Sequence, residues 1–240
     1  MSKIVTPYKD TKLGKKEQVT KMFDNVSTEY DFLNRILTFG LDISWRKKVV
    51  KIVANNNSKN ILDIATGTGD LAINLSKIKN AKIIGLDISS GMLNIAKEKV
   101  KKKNLPIELV LGDSENLPFK DATFDAITVG YGVRNFENLD KGIQEIYRVL
   151  KPNGIFVVLE TSQPTKFPIK QLFKFYSKYV IPTVGGLFSK DKKAYNYLPE
   201  SAANFPFGKV FNNILIKNGF NTAKDIPVTF GISTIYIANK

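Results

Sequence analysis

The chain has 240 residues, of which 43% are hydrophobic and 24% are charged, an ordinary composition for one α/β domain with a sizeable core. Its 36 Lys and Arg residues outnumber its 22 Asp and Glu residues, giving a net charge of +14. This charge favours either an anionic partner, nucleic acid or a lipid surface, or lysines spread over a solvated surface. The absence of Cys and His excludes disulfides, cysteine zinc sites, thiol nucleophiles and imidazole bases, and we expect no metal site.

A helical segment precedes the first predicted strand. Its apolar residues recur at helical spacing and predict one apolar face: Val19, Met22, Phe23, Val26 and Tyr30. The N-terminus lacks the apolar core of a signal peptide, and no apolar run approaches the roughly 18 residues that span a membrane. We therefore expect a cytoplasmic protein that is at most peripheral at the inner face of the cell membrane.

From residue 60 onwards, short β-type runs alternate with runs of helical periodicity. The predicted strands are 60–65, 82–88, 107–113, 124–132 and 154–161, and the predicted helices between them are 70–79, 91–103 and 139–151. A further helix that stops at Asn218-Gly219 and two strands around Gly231 bring the total to seven strands, with "STIYIA" as an edge strand. This order predicts an α/β fold with a mostly parallel sheet covered by helices on both faces.

We expect a single domain over 1–240 with two added helical pieces. Its parts are an N-terminal helical segment (1–58), a cofactor-binding core (59–164), a helical insertion that covers the substrate (165–210), and a C-terminal helix with strands (211–240). In the insertion, one helical face carries Ile169, Leu172, Phe173, Tyr176 and Val180, and another carries Lys166, Lys170, Lys174 and Lys178. The pattern indicates either a helix at an anionic lipid surface or a helix packed on the core with a solvated lysine face.

The first strand runs into a glycine-rich turn, "ILDIATGTGDLA", that suits two cofactors. Gly67, Thr68 and Gly69 begin a G-x-G-x-x-A pattern, and Asp87 follows Gly67 by twenty residues, where it would bind ribose hydroxyls. A dinucleotide would place its pyrophosphate near Asp63 and Asp70, which would repel it. S-adenosylmethionine has no phosphate, and its ammonium and sulfonium suit nearby carboxylates, so the turn favours S-adenosylmethionine.

The ends of the next strands supply further candidates. Asp113 and Ser114 follow the third strand, where a carboxylate would accept a hydrogen bond from an adenine amino group; the alternative is a helix or turn cap. The fourth strand ends in "GYGVRNF", which carries Gly130 and faces the same crevice.

Ordered motifs over most of the chain, from about Phe23 to the C-terminus, resemble the ubiquinone/menaquinone biosynthesis C-methyltransferases, within the class I S-adenosylmethionine-dependent methyltransferases. The motifs are "MFDNVSTEYDFLNRILTFGLDISWRK", "ILDIATGTGDLA", "GDSENLPF", "YGVRNF", "EIYRVLKPNG", "VLETSQP", "YVIPTVGGLFSKDKKAYNYLPESAANFP" and "GISTIY". The resemblance implies a Rossmann-like fold, with the cofactor contacted by Thr68, Asp87, Asp113 and Ser114.

Two positions depart from the family pattern. Gly130 stands where the family often has Ser, so its cofactor contact would come from backbone. Gly40 is followed by Leu41 and Asp42 where the family often reads Gly-x-His, which indicates a structural role for that position.

The resemblance implies methylation of a ring carbon of a reduced polyprenyl quinone, which needs neither His nor Cys. We predict that Arg134 and Asn135 orient the quinol hydroxyl, with Arg134 stabilising the oxyanion; the alternative is a structural Arg–carboxylate pair. Tyr131, Tyr195 and Tyr197 are predicted to line the ring pocket, with core packing as the alternative for the last two.

Three other functions compete with this one. A nucleic-acid methyltransferase suits the charge, but the chain lacks the Cys of cytosine C5 transfer and any Pro-Pro pair, so we expect no nucleic acid partner. Asp63 and Asp70 weaken a nicotinamide oxidoreductase, and the full set of motifs weakens a non-catalytic binding module. The acceptor is expected to be demethylmenaquinol, with a methoxybenzoquinol as the alternative, and homo-oligomer formation stays open.

Overall fold

Three helices precede the sheet in the computed structural model, which describes residues 5–9, 11–188 and 191–240. They are α1 (Lys15–Val26), α2 (Tyr30–Leu37) and α3 (Leu41–Asn55). The predicted apolar face is split between two helices, because α1 ends at Val26 and Tyr30 begins α2. Val19, Met22 and Val26 are buried in one cluster with Met92.

The predicted fold is confirmed: seven strands form one sheet in the order β3-β2-β1-β4-β5-β7-β6. The strands are β1 (Asn60–Ile64), β2 (Lys82–Asp87), β3 (Ile107–Leu111), β4 (Phe124–Gly130), β5 (Leu150–Thr161), β6 (Thr222–Val228) and β7 (Ser233–Asn239). The first five strands pair in parallel, and β7 is antiparallel to both neighbours. The strand order reverses between β1 and β4, where open α/β sheets bind their ligands.

Alternate residues of each strand build a core on each face of the sheet. On one face, Leu62 and Ile64 of β1 pack in a cluster that includes residues of α6 (Leu139–Val149) and α10 (Lys209–Lys217). On the other face, Ile61 packs in a cluster with residues of α3 and α4 (Asp70–Leu75). The helix α5 (Ser90–Lys102) follows β2. Burial of both faces explains the apolar runs that predicted the strands.

The prediction that "STIYIA" forms an edge strand is wrong. β7 lies between β5 and β6, and its residues from Ser233 to Ala238 are buried. Polar side chains of this strand are satisfied inside, since the hydroxyls of Ser162 and Thr234 lie 2.8 Å apart. The edge position belongs to β6, which contains Pro227 and few buried residues.

The insertion between β5 and β6 is helical. It comprises α7 (Ile169–Phe175), a π-helical turn (Tyr176–Val180), α8 (Ile181–Phe188) and α9 (Lys192–Asn204). The Tyr176 hydroxyl donates to the Leu37 carbonyl at 2.6 Å, which ties the insertion to the end of α2. Over the described ranges, no helix combines the length and apolarity needed to cross a bilayer.

Candidate active site

The glycine turn after β1 is shaped by its two glycines and by Asp87. Gly67 and Gly69 have positive φ angles of 57° and 82°, which favour glycine. A Cβ on Gly69 would lie 3.2 Å from the Cβ of Ala96 in α5, whereas a Cβ on Gly67 would meet only open space. The Asp87 carboxylate accepts hydrogen bonds from the N–H groups of Gly67 at 2.7 Å and Ser89 at 2.8 Å. The turn is therefore held open toward the carboxyl ends of the strands.

A cleft that encloses about 680 Å³ including its mouth, hereafter the polar cleft, lies over this turn. Seven of the predicted site residues line it: Gly67, Asp87, Asp113, Ser114, Gly130, Tyr131 and Asn135. They come from the ends of β1, β2, β3 and β4, which meet at one edge because these strands are parallel. Its outer wall is formed by α1 and α2, through Lys16, Val19, Phe23 and Tyr30.

Three predicted cofactor ligands do not line the polar cleft. The buried Asp63 carboxylate accepts hydrogen bonds from the hydroxyls of Thr66 at 2.7 Å and Thr128 at 2.6 Å. Burial raises the pKa of Asp63 to about 6, although both hydroxyl donors act in the opposite direction. Asp63 therefore lies beneath the turn and supports it. Gly69 packs against α5, as described above.

The third of these residues, Thr68, faces α2 through its side chain. Its hydroxyl donates to Asp31 at 2.5 Å and accepts from Lys99 at 3.2 Å. Asp70 is also neutralised here, since Lys99 lies at 2.5 Å and Arg35 and Arg46 both lie at 3.5 Å. The expectation that Asp63 and Asp70 repel a pyrophosphate is therefore wrong, because neither carboxylate faces the cleft.

Lys16 is a polar-cleft residue that the sequence analysis missed. Its ammonium lies 2.7 Å from the Asp113 carboxylate and 3.3 Å from that of Glu115. Burial alone would lower the pKa of Lys16, but the two carboxylates outweigh it and the pKa is raised. Asp113 also accepts a hydrogen bond from the Glu115 N–H at 2.9 Å. It therefore caps a turn and lines the cleft at the same time.

A second and larger cleft, hereafter the apolar cleft, opens beside the first and encloses about 1930 Å³ including its mouth. The predicted apolar face of the insertion lines it completely: Ile169, Leu172, Phe173, Tyr176 and Val180. The opposite wall comes from α2, α3 and the turn between β6 and β7. The insertion helix thus contributes a wall to a cleft through its apolar face.

The two clefts meet at Tyr30 and Tyr131, which line both of them. Arg134 lies in the apolar cleft and Asn135 in the polar cleft, one residue apart. The role of Tyr30 as a shared wall was not predicted from the sequence, although the residue stands in the N-terminal motif.

Arg134 is paired and faces the apolar cleft at the same time. Its guanidinium donates to the Tyr131 carbonyl at 2.9 Å and forms an ion pair with the fully buried Glu160. Arg134 Nε and Glu160 Oε2 are both buried without a hydrogen-bond partner. Burial raises the pKa of Glu160, and the arginine opposes that shift. The structural Arg–carboxylate pair, which was the alternative interpretation, is therefore present between Arg134 and Glu160. The N–H at Nε of Arg134 remains without an acceptor.

The two tyrosines of the "AYNYLPES" box lie behind the cleft walls. Tyr195 is buried against Gly185, where a Cβ would approach the tyrosine ring to 2.2 Å, and its hydroxyl has no hydrogen-bond partner. Tyr197 is also buried, and its hydroxyl donates to Asn135 Oδ1 at 3.0 Å. Neither residue lines either cleft, so Tyr197 positions Asn135 and Tyr195 packs the core.

Asp42 is the centre of a structural ion-pair cluster. Its buried carboxylate accepts from Arg35 at 2.9 Å through both oxygens, from the Thr38 hydroxyl at 2.9 Å, and from Arg46. These contacts join α2 to α3. Asp42 therefore has a structural role at the position where the family often has His.

The residues of the polar cleft fit S-adenosylmethionine. Its charged lining consists of four carboxylates, Asp87, Asp113, Glu115 and Glu137, against the single ammonium of Lys16. This balance favours a ligand with an ammonium and a sulfonium over a pyrophosphate. Apolar side chains between them, such as Leu86, Ile88, Met92 and Phe136, suit a flat adenine ring. Asp87 and Asp113 would accept from the ribose and the adenine amino group.

The fold and the polar cleft together define a class I S-adenosylmethionine-dependent methyltransferase. A solved methyltransferase of this class from Thermotoga maritima has the same fold, with a TM-score of 0.67 and 18% identity over 92% of this chain and 99% of the other.

The chain belongs to the ubiE/COQ5 methyltransferase family, whose sequence profile matches residues 10–240. It is similar to a demethylmenaquinone methyltransferase of Bacteroides fragilis, with 48% identity covering 98% of this chain and 97% of the relative. It is also similar to the ubiquinone/menaquinone biosynthesis C-methyltransferase UbiE of Geotalea daltonii. The identity is 40%, and the match covers 94% of this chain and 97% of the relative. The chain is therefore a methyltransferase that uses S-adenosylmethionine.

Proposed function

We propose that the enzyme transfers a methyl group from S-adenosylmethionine to a ring carbon of a reduced polyprenyl quinone, with demethylmenaquinol as the substrate. One observation carries the proposal: the polar cleft meets the larger apolar cleft at Tyr30 and Tyr131. A quinol ring placed at this junction would have its isoprenoid tail in the apolar cleft. The relatives named above support a quinol as the acceptor.

The bound cofactor supplies an electrophilic methyl group on its sulfonium. Arg134 stays protonated, and its guanidinium stabilises the negative oxygen of the deprotonated quinol hydroxyl, whose charge is shared with the adjacent ring carbon. The apolar surroundings strengthen this interaction because little water competes for the arginine. The Nε of Arg134 is buried, so the stabilisation comes from the charge of the guanidinium and not from a hydrogen bond donated by Nε.

The other residues at the junction hold the reactants in place. Tyr197 fixes Asn135 from behind, and the amide of Asn135 lies 3.4 Å from the Tyr131 carbonyl. Tyr30 and Tyr131 form the shared wall, where they would align donor and acceptor and exclude water. When the ring carbon gains the methyl group, its hydrogen must leave as a proton to solvent to restore the aromatic ring. Alignment and electrostatic stabilisation are therefore the main contributions that the described residues make to this reaction.

The test is the product mass after incubation with S-adenosylmethionine and each reduced quinol in turn. We expect one added methyl group on the naphthoquinol that lacks it. The same result on a methoxybenzoquinol would mean that one enzyme serves both menaquinone and ubiquinone biosynthesis. The R134A variant should bind the cofactor normally and lose most turnover. Absence of methylation on both quinols, with the cofactor bound, would contradict the proposal and favour another small molecule or a nucleic acid as the acceptor.

A further inference from the structure

The mouth of the apolar cleft is surrounded by exposed apolar side chains from three separate segments. Phe39 lies between α2 and α3 and is 80% exposed; Phe230 lies between β6 and β7 and is 79% exposed. Leu172 and Phe175 of α7 are each 61% exposed. All four also line the cleft, so they mark its opening to the outside. Phe167 and Tyr179, beside α7, add exposed rings to the same segment.

Two of these rings stand on loops whose backbone conformation is unfavourable for them. Phe39 has a φ of 51°, and Thr229 and Phe230 have φ values of 46° and 58°. Side chains with a Cβ rarely adopt this left-handed region, and a bulky residue there is an outlier. An exposed ring obtains little packing energy within the chain to offset that conformation, so a contact outside the chain is the simplest reason for it.

Both loops are anchored, which keeps the rings in position. The Trp45 indole donates to the Thr229 hydroxyl at 2.8 Å, which fixes the turn between β6 and β7 to α3. The loop that carries Phe39 is held by the bond from Tyr176 to the Leu37 carbonyl, and the rings of Phe39 and Tyr176 are 6.1 Å apart. The rings are thus presented outward by a rigid frame.

Positive charge lies beside these rings without compensation. The sequence has no Asp or Glu between Glu160 and Asp191. Within that stretch, four exposed lysines lack a carboxylate within 4 Å among the described residues: Lys166, Lys170, Lys174 and Lys178. The ammonium of Lys178 lies 5.2 Å from the ring centre of Tyr179. Exposed aromatic rings flanked by lysines are the pattern of a surface that lies in a bilayer interface.

We propose that this surface, the aromatic rim, binds the face of an anionic lipid bilayer. The rim consists of Phe39, Phe167, Leu172, Phe175, Tyr179 and Phe230 together with the four lysines. Its rings enter the headgroup region, the lysines contact anionic headgroups, and the cleft mouth opens onto the lipid. A second copy of the chain is a poorer occupant, because a two-fold contact would bring the lysine rows of both copies together. The rim is inferred from exposure and charge; only the passage of a substrate tail through it rests on the proposed function.

The experiment measures binding of the full chain to sedimented vesicles of phosphatidylcholine, with and without about one third phosphatidylglycerol. We expect binding to the anionic vesicles that weakens with added salt. The K170Q/K174Q variant should bind roughly thirtyfold more weakly, since each lysine near an anionic surface contributes about fivefold. The matched control K101Q/K102Q removes the same charge from exposed lysines of α5 and should bind like the native chain.

A second pair of variants tests the rings without disturbing the fold. Asn adopts the left-handed region more readily than Phe, so F39N and F230N should leave the melting temperature unchanged or raised. Each should weaken vesicle binding roughly tenfold, because an apolar ring leaves the interface. Unchanged binding by F39N, F230N and K170Q/K174Q, or equal loss in K101Q/K102Q, would overturn the proposal. A lipid-free dimer that F39N and F230N dissociate would also overturn it and assign the rim to a second copy.

A tail-less naphthoquinol separates this proposal from the proposed function. K170Q/K174Q should methylate it as the native chain does, because the lysines lie outside both clefts. Vesicle binding without any quinol methylation would overturn the proposed function alone. Methylation with no vesicle binding would overturn the aromatic rim alone.

Discussion

Two buried carboxylates at the ends of neighbouring strands, Asp63 and Asp87, show how burial prepares this site. Burial raises the pKa of each to about 6, against the hydrogen bonds that they accept. Asp87 holds the glycine turn and faces the polar cleft, whereas Asp63 stabilises the turn from below. Because these pKa values exceed the unfolded value of about 3.9, the folded chain binds extra protons between roughly pH 4 and pH 6.

The D63N variant should remove the Asp63 share of this pH dependence. In the native chain the stability that comes from protonated Asp63 is fully present below about pH 4 and is lost as the pH rises through 6. An amide keeps hydrogen-bonding partners for Thr66 and Thr128 without a buried charge. We expect D63N to be more stable than the native chain at pH 7.5 by about 2 kcal/mol, with the difference vanishing near pH 4.

Urea unfolding at several pH values measures the Asp63 contribution together with its electrostatic interaction with Asp87. The T128V variant is the control: it removes one hydroxyl donor from Asp63 and should lower the free energy of unfolding at pH 7.5. A D63N chain whose stability difference does not change between pH 4 and pH 7.5 would contradict the assignment.

Glu160 is a positioning residue for Arg134, and its charge also offsets that of the guanidinium. The E160Q variant keeps the size of the side chain but removes the negative charge. We expect kcat to fall at least roughly tenfold because the guanidinium loses its anchor, with little change in the KM for S-adenosylmethionine. The uncompensated positive charge should favour the quinolate, so the rising limb of the kcat–pH profile should move to lower pH.

A purely structural Glu160 would not move the pH profile. The E160D variant, which keeps the charge, should leave the position of the rising limb unchanged even if kcat falls. A pH profile for E160Q that superimposes on that of the native chain would rule out the electrostatic role of Glu160.

Among the elements, α1 forms a wall of the polar cleft and packs on α5 through Val19, Met22 and Val26. The Asp24 carboxylate accepts from the Ser89 hydroxyl at 2.6 Å and from the Gly91 N–H at 2.8 Å, so α1 helps to cap the N-terminus of α5. The D24A variant should lose about 1–2 kcal/mol of stability, as for other lost caps. It should also bind S-adenosylmethionine more weakly, because Lys16, Val19 and Phe23 come from the same helix.

Calorimetric titration with S-adenosylmethionine and limited proteolysis near α1 measure the effect of D24A. The matched control is K21A, an exposed substitution on the same helix. Cofactor affinity equal to that of the native chain in D24A would show that α1 does not depend on this cap to form the cleft wall.

The elements differ in how far the sequence predicts them, for physical reasons. The β1–turn–α4 unit and the parallel order were predictable, because strand and helix periodicities are local and parallel strand ends meet at one edge. That edge brings Gly67, Asp87 and Asp113 together. β7 was wrongly placed because its alternation does not reveal that β6 pairs along its second edge and closes the sheet beyond it.

The contacts that the sequence could not supply are long-range. Lys16 reaches Asp113 across 97 residues, and only the folding of α1 over the sheet brings them together. From the sequence, Asp63 and Asp70 were interpreted as unpaired carboxylates. Their partners Thr128 and Lys99 lie on elements that are distant in the sequence. Tyr195 and Tyr197 stand in a specific motif, but the motif does not reveal that they lie behind the wall rather than in it.

On the scale of the whole molecule, the two clefts are parts of one space with a common wall. Tyr30 is held against Phe23 of α1 in an edge-to-face contact, with ring centres 6.0 Å apart, and it borders both clefts. Its ring therefore contacts whatever fills either cleft. A ligand that fixes the position of this ring in one cleft also fixes that wall for a ligand in the other cleft. We therefore expect cofactor and quinol binding to be coupled in both directions.

We expect S-adenosylhomocysteine and an oxidised naphthoquinone, which cannot react together, to tighten each other's binding by the same factor of roughly five to ten. Titrating each ligand with and without saturating amounts of the other closes a thermodynamic cycle. The Y30F variant keeps the ring and should keep the factor. The Y30A variant should bring it close to one, because the shared wall is gone while Asp87, Asp113 and the insertion remain. A coupling factor that is equal in Y30A and the native chain would mean that the clefts communicate through Tyr131 or not through their common wall at all.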